Sequence, residues 1–371
     1  MPRSSRAARW SALWRRSSER RGVLAHAMLP LAWLYGWLAR RRREAFLTAA
    51  ARTTRLPVPV IVVGNVIAGG AGKTPTAIAL IRHLQSRGHR PALVSRGYGR
   101  RGEEVLLLPE VPEPALHGDE PTLIRQATGV PACVGADRVA AAWMLLERHP
   151  DISVLVCDDG LQHYALGRDI AIAVFDDRGI GNGWLLPAGP LREPWPPKTI
   201  DPLSPHLLLR QGREPGPAQP LPEAQGIPLF HARRRLGDTV HWADGNASPL
   251  ASLASGSVTG LAGIARPEVF FEMLRERGVR LSRQIALPDH ATADAFEETL
   301  SSVEGVVLCT EKDAVKVFPW WQAHPRRDRW RIGAIPLVTE IDAGFFEALD
   351  TRLAAACTTP TLSSDHGHQT A

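Results

Sequence analysis

Six consecutive residues, Gly69-Gly70-Ala71-Gly72-Lys73-Thr74, have the composition of a loop that closes around phosphate oxygens. Small residues let backbone N–H groups converge on an anion, a lysine can reach the outer phosphates, and a threonine hydroxyl can hold Mg²⁺. The strict form of this pattern has glycine at position 67, where the chain has Ile67, so Gly64, Gly69 and Gly70 are left to supply the turn. The run Val60 to Val63 precedes the loop, and Pro75 with an Ile78, Ile81, Leu84 stripe follows it. A strand before and a helix after make phosphate binding the expected role of this loop. A second motif, Cys157-Asp158-Asp159-Gly160, ends the apolar run Ile152 to Val156. Adjacent aspartates at a strand end are ordinary turn formers. Beside a phosphate loop they also suit a magnesium-organising role, and strand alternation lets only one of them touch the ion directly.

Other polar clusters fall in loops expected at the same sheet edge. They are Ser95-Arg96-Gly97-Tyr98-Gly99, Gly118-Asp119-Glu120-Pro121, Gln162-His163, Gly181-Asn182-Gly183 and the run from Leu186 to Pro194 containing Arg192 and Glu193. Farther on come Asp289-His290 and Thr310-Glu311-Lys312-Asp313. Singly, each has a structural explanation, as a helix cap, a solvated charge or a surface histidine.

These residues need a frame. Apolar runs at Ala92–Val94, Ile152–Cys157 and Ile170–Phe175 predict buried strands, and 122–126 and 138–148 predict helices between them. Such alternation implies an α/β fold with a mostly parallel sheet covered on both faces. Twelve prolines between Pro187 and Pro228 predict a linker or surface loops. A second, smaller α/β region follows, with strands at Val258–Leu261 and Gly305–Cys309 and a helix from Pro267 to Arg277. The expected organisation is an arm over 1–56, a nucleotide-binding domain over 57–190, a proline-rich linker over 191–228, a second domain over 229–348 and a polar tail over 349–371.

The chain has 371 residues, is 44% hydrophobic and has a net charge of +6. That excludes global disorder and coiled coil, and Cys133, Cys157, Cys309 and Cys357 are too scattered for a disulfide scaffold or zinc site. The charge divides unevenly. Residues 1–56 hold 13 Arg against Glu19 and Glu44, a net +11, whereas the remaining 315 residues carry 31 basic and 36 acidic groups, a net −5. A basic pI therefore gives no support to nucleic-acid binding by the globular body. The arm contains the apolar segment Val23 to Leu38 between arginine clusters, with Trp33, Tyr35 and Trp37 within it. Short for a span and broken by Pro30, it predicts a helix lying on an anionic membrane surface; an ordinary buried helix is the competing reading.

The order of motifs closely resembles the tetraacyldisaccharide 4′-kinases of lipid A biosynthesis. The resemblance covers roughly residues 28–318 and rests on LPLAWLYG, VGNVIAGGAGKTP, SRGYGR, GDEP, DDGLQH, GNGWLLPAGPLREP, GIARPEVFF, LPDH and TEKDAVK. The family shares the spacing without glycine at position 67, while Ala265-Arg266 departs from its usual pattern. It implies transfer of the ATP γ-phosphate to the 4′-hydroxyl of an acylated glucosamine disaccharide 1-phosphate, giving lipid IVA. It also implies a peripheral enzyme on the cytoplasmic face of the bacterial inner membrane, and no obligate protein partner is evident. By resemblance, Asp119 would be the base, paired with His290. Gly69, Gly70, Ala71, Gly72, Lys73, Thr74 and Arg192 would bind nucleotide, and Thr74, Asp158, Asp159 and Glu193 would organise Mg²⁺. A membrane-tethered ATPase is the principal alternative, distinguished by giving no phosphorylated sugar.

Overall fold

Every residue of the strand Val60–Gly64 is buried, and its side chains alternate between two cores. Val60 and Val62 pack on one face, Ile61 and Val63 on the other, which is why this run is uniformly apolar. A computed structural model of the chain describes residues 20–49, 51–70, 72–212, 221–254, 256–289 and 291–358. Two expected site residues, Ala71 and His290, and the first part of the basic arm lie outside the described residues.

In chain order the strands are β1 (Val60–Gly64), β2 (Pro91–Ser95), β3 (Leu106–Leu107), β4 (Ala132–Val134), β5 (Val154–Asp158), β6 (Ile170–Phe175), β7 (Leu207–Gly212) and β8 (Leu229–Leu236). Then come β9 (Thr239–Trp242), β10 (Ala247–Pro249), β11 (Val258–Ala262), β12 (Leu281–Ala286), β13 (Gly305–Thr310), β14 (Trp330–Ile335) and β15 (Leu337–Ile341). The helices are α1 (Val23–Ala27), α2 (Leu29–Leu47), α3 (Lys73–Ser86), α4 (Pro114–His117) and α5 (Asp119–Thr128). They continue as α6 (Arg138–Arg148), α7 (Pro267–Glu276), α8 (Ala293–Leu300), α9 (Glu311–Ala323) and α10 (Ala343–Thr358).

The larger sheet has the order β15-β8-β7-β6-β1-β5-β2-β4-β3, parallel inside and antiparallel at its two edge pairs. One face packs on α6 through Ala141, Ala142 and Leu145, the other on α3 and α10. The face of α3 is centred slightly off the predicted stripe: Ala77, Leu80, Ile81 and Leu84 are buried, while Ile78 is only partly so. β1 and β5 are in register with Val63 opposite Asp158, so the phosphate loop and the aspartate pair leave adjacent strand ends. The second sheet has the order β10-β9-β14-β13-β11-β12.

The proline-rich stretch is not all loop. Leu207–Gly212 is proline-free and opens with three buried leucines, and it inserts as β7 between β6 and β8. β8 and β15 also join the larger sheet, on either side of the segment that builds the second one. The two crossings run together, with the Gly237 N–H donating to the Pro336 carbonyl at 2.8 Å. The polar tail starts later than predicted, because Phe345, Leu349 and Leu353 give α10 an i, i+4, i+8 stripe buried against the larger sheet.

Pro30 falls in the first turn of α2, where its missing N–H costs nothing, and the helix runs 19 residues beyond the short α1. Ala32 and Gly36 face the body, whereas Leu31, Trp33, Leu34, Trp37 and Leu38 are exposed, Trp33 to 71%. Among the described residues, no helix is long and apolar enough to cross a membrane. The Tyr35 hydroxyl donates to the Arg192 carbonyl at 3.0 Å, Arg43 pairs with Asp201 at 2.6 Å, and Arg21 donates to the Asn182 carbonyl at 3.1 Å. α2 is thereby fastened to the loop that carries Arg192 and Glu193.

Gly36 sets how closely α2 approaches, since a Cβ there would lie 2.6 Å from Leu185 Cδ1. Gly36→Val is expected to lift α2 from the body and speed amide exchange and proteolysis within it, with the sheet core unchanged. Unaltered exchange in α2 would refute the contact's importance.

Candidate active site

The phosphate loop is closed from within and held from behind. Asn65 Nδ2 donates to the Gly69 carbonyl at 3.1 Å, tying the start of the loop to its middle. Gly72 has φ +84°, a left-handed conformation that suits glycine, and it caps the N-terminus of α3. A Cβ at Gly72 would collide with Gln211 from β7, whose Nε2 donates to the Gly72 carbonyl at 3.0 Å and to the Thr76 hydroxyl. Lys73 and Thr74 are the first two residues of α3, so loop and helix N–H groups face the same space. Arg178 flanks the loop, its Nη1 3.4 Å from where a Gly69 Cβ would lie, and is held by buried Asp176 at 2.8 Å.

A connected set of polar side chains lies beside this loop. Lys73 Nζ is 3.3 Å from Asn65 Oδ1 and 3.4 Å from Asp159 Oδ1. Arg192 Nη1 reaches the same Asp159 oxygen at 3.0 Å and Gln162 Oε1 at 3.4 Å. Gln162 Nε2 in turn donates to Glu193 Oε1 at 2.8 Å and to the Asn65 carbonyl at 3.2 Å. Lys73, Asp159, Arg192 and Glu193, predicted from separate motifs, thus belong to one network. Burial raises the Asp159 carboxyl's pKa, but Lys73 and Arg192 outweigh it and the net shift is downward. Asp159 has φ +51°, a conformation costing a non-glycine residue about 1–2 kcal/mol.

Asp158 is the opposite case. It is 0% exposed, and neither carboxylate oxygen has a hydrogen-bond partner. Burial, with Glu120 nearby and against the pull of Lys73, pushes its pKa up to about 8. A buried carboxylate without partners fits a site completed by a proton or a cation. Among the described residues no three His, Cys, Asp or Glu side chains converge as a metal cage. Mg²⁺ binds through one or two carboxylates together with phosphate oxygens and water, and Asp158 offers such a carboxylate.

Asp119 is the first residue of α5, after Gly118 at φ +90°, and is 6% exposed. Helix prediction placed this start three residues later; Pro121 in the first turn accommodates the earlier one. Lys316 from α9 donates to Asp119 Oδ2 at 2.8 Å. Lys312, one turn earlier, reaches Asp289 at 2.9 Å and Glu120 at 3.4 Å. Across the cleft, a Gly70 Cβ would lie 3.7 Å from the Ala265 Cβ, so the loop after β11 faces the phosphate loop. Buried Asp313 accepts from the Gly263 N–H at 3.0 Å and steadies that loop.

Sequence reasoning did not single out Asn65, Gln211, Arg178 or Lys316, and it set Tyr35 at the membrane boundary where the structure turns its hydroxyl to the Arg192 carbonyl. Gln211 is a lone buried amide in an apolar strand, and Lys316 lies four residues after Lys312, one helical turn along a common face. Burial raises Cys133 and Cys157 to about 12, leaving both as thiols.

The sequence model for tetraacyldisaccharide-1-P 4′-kinase matches residues 24–354. A tetraacyldisaccharide 4′-kinase of Polaromonas naphthalenivorans is 49% identical over 355 residues, covering 94% of this chain and 96% of the relative. One from Acidovorax ebreus is 47% identical over 337 residues, covering 91% and 93%. The crystal structure of the apo form of LpxK from Aquifex aeolicus in complex with ATP superposes with a TM-score of 0.72 at 24% identity. That match covers 89% of this chain and 99% of the other and establishes the common fold.

The folded pKa of Asp158 lies above the unfolded value of about 3.9. The native state therefore holds an extra proton between the two values, and stability falls as pH rises through that window. Asp158→Asn is neutral throughout, so without divalent cation its Tm should gain on wild type from pH 6 to pH 8.5. Mg²⁺ should raise the Tm of wild type at pH 8.5 but not that of the variant. A Tm difference independent of pH would contradict the partnerless carboxylate.

Proposed function

The chain belongs to the tetraacyldisaccharide-1-P 4′-kinase family, and from that premise we propose how its side chains divide the work of phosphoryl transfer. The reaction, a step of lipid A biosynthesis, moves the γ-phosphate of ATP to the 4′-hydroxyl of a tetraacylated disaccharide 1-phosphate, giving lipid IVA. The observation that carries the assignment of roles is the placement of Lys73, Arg192 and a partnerless Asp158 around one loop of small residues.

The backbone N–H groups around Gly69, Gly70 and Gly72 would cradle the phosphates, with Lys73 and Arg192 set against their outer oxygens. Both cations rest on Asp159, so the carboxylate that positions them also compensates their charges. Asp158 and the Thr74 hydroxyl would hold Mg²⁺, with Glu193 and Asp159 close by in the same network. When bound, that ion supplies charge neutralisation on the phosphates. Asp119 would accept the proton of the 4′-hydroxyl as the alcohol attacks, with His290 assigned to orient it by family resemblance. Because the transferred group develops little bonding to the protein, most of the rate comes from alignment and charge compensation.

The face of α2 supports action at a membrane. Leu31, Trp33, Leu34, Trp37 and Leu38 are exposed beside Arg40, Arg41 and Arg42, a pattern suited to an interface with anionic lipid. The acceptor's acyl chains keep it in a bilayer, so a protein lying on the cytoplasmic face of the inner membrane meets the headgroup without extracting the lipid. At 19 residues α2 measures about 28 Å, and its arginine-rich second half opposes insertion across a ~30 Å core.

Labelled ATP incubated with the disaccharide lipid should give a labelled lipid product. Lys73→Ala and Asp119→Asn should each lower turnover by about 10²-fold or more with the fold intact; near wild-type kcat for Asp119→Asn would overturn its assignment as base. Trp33→Glu with Trp37→Glu should weaken sedimentation with anionic vesicles roughly tenfold or more. Undiminished vesicle binding would remove α2 from the membrane contact.

A further inference from the structure

The Lys316 ammonium comes from a different sheet unit than the carboxylate it holds. α9 follows β13 of the second sheet, whereas α5 precedes β4 of the larger one, and the two helices pack against each other. On α9, Lys312 and Lys316 are one turn apart and share a face. Lys316 Nζ lies 2.8 Å from Asp119 Oδ2, with side-chain exposures of 15% and 9%. Lys312 takes Glu120 and Asp289. The pair is too buried for a solvated surface bridge, and a charged contact of this kind fixes the rotation of the carboxylate as well as compensating it.

We propose that Lys316 is a positioning residue of the phosphoryl-acceptor base, acting beside His290 and orienting Asp119 from across the cleft so that the base is set only when α9 is docked on α5. The inference rests on Asp119 being that base. Its consequence is that the second sheet does more than cover the cleft: it supplies the cation that holds the proton acceptor in place.

The charged surroundings of Asp119 make the test specific. Lys316 contacts it and Lys312 acts on it electrostatically, both from α9, and Lys312 in turn holds Glu120 of the same helix as Asp119 and Asp289 from the loop after β12. His117 of α4 is engaged with the Glu113 backbone, and Arg82 of α3 with the Ala127 carbonyl. Removing the ammonium takes away a charge that favours the ionised carboxylate, so the acidic limb of the rate profile should move to higher pH.

The experiment compares Lys316→Met, Lys316→Arg and Lys312→Met, with Lys316→Met also built on Asp119→Asn, using ATP and the disaccharide lipid. Lys316→Met should lower kcat roughly 10- to 100-fold, leave KM for ATP within about twofold, and shift the acidic limb of kcat/KM upward. Lys316→Arg should recover most of the rate, and Lys316→Met should cost nothing further on Asp119→Asn. If Asp119→Asn is inactive while Lys316→Met turns over like wild type, the lysine assignment falls and the base assignment stands. If Asp119→Asn remains active, both fall. A loss that persists on Asp119→Asn, or that Lys312→Met reproduces without any shift of the limb, reduces Lys316 to an interface contact and overturns the proposal.

Discussion

A desolvated carboxylate at the end of a central strand is the constraint to which the rest of the cleft answers. Ionised, Asp158 would cost several kcal/mol in a fully buried position without a partner. The surroundings moderate that cost without removing it. Lys73 pulls its pKa down, yet Lys73 itself is shared with Asp159 and Asn65. The neighbouring Asp159 takes the two cations instead and bears a left-handed backbone to do so. Two chemically identical residues are thus given different tasks by one strand end: the in-register one turns inward and stays uncompensated, and the next swings out to gather charge.

The phosphate loop takes its shape from groups around it: Asn65 inside, Gln211 behind and Arg178 at the flank. Gln211 comes from β7, in a region dominated by proline, which shows why that strand matters beyond completing the sheet. The loop bearing Arg192 and Glu193 is braced in the same way by α2, through Tyr35 and the close approach at Gly36. Lys73, Arg192 and the loop glycines are therefore positioned by elements on three sides, and Asp119 is held from the fourth.

How much of this was legible in the sequence depends on the range of the interaction. Short-range chemistry was plain: the β-branched run before Gly64, the small residues through Gly72 and the apolar runs of β5 and β6 specify strand, loop and helix locally. The joining of Lys73, Asp159, Arg192 and Glu193 followed from placing loops at one sheet edge. What escaped was long-range. Gln211 is 135 positions from Thr76, and Lys316 is 197 from Asp119, so no periodicity links them. The proline count concealed β7 because it averages over a window larger than a six-residue strand. The buried Asp313 was grouped with its neighbours Thr310, Glu311 and Lys312, although its carboxylate serves Gly263 fifty residues earlier.

The two chain crossings between the sheets have a mechanical consequence. Residues 237 and 336 run side by side and are joined by a backbone hydrogen bond, so the second unit is attached by a doubled ribbon at one margin. A single tether would permit rotation about its own axis; two adjacent ones resist twisting and shear while bending readily. The doubled attachment and the packing of α9 on α5 therefore fix the second unit at two separate places, and the registry between the halves of the cleft is built into the chain path.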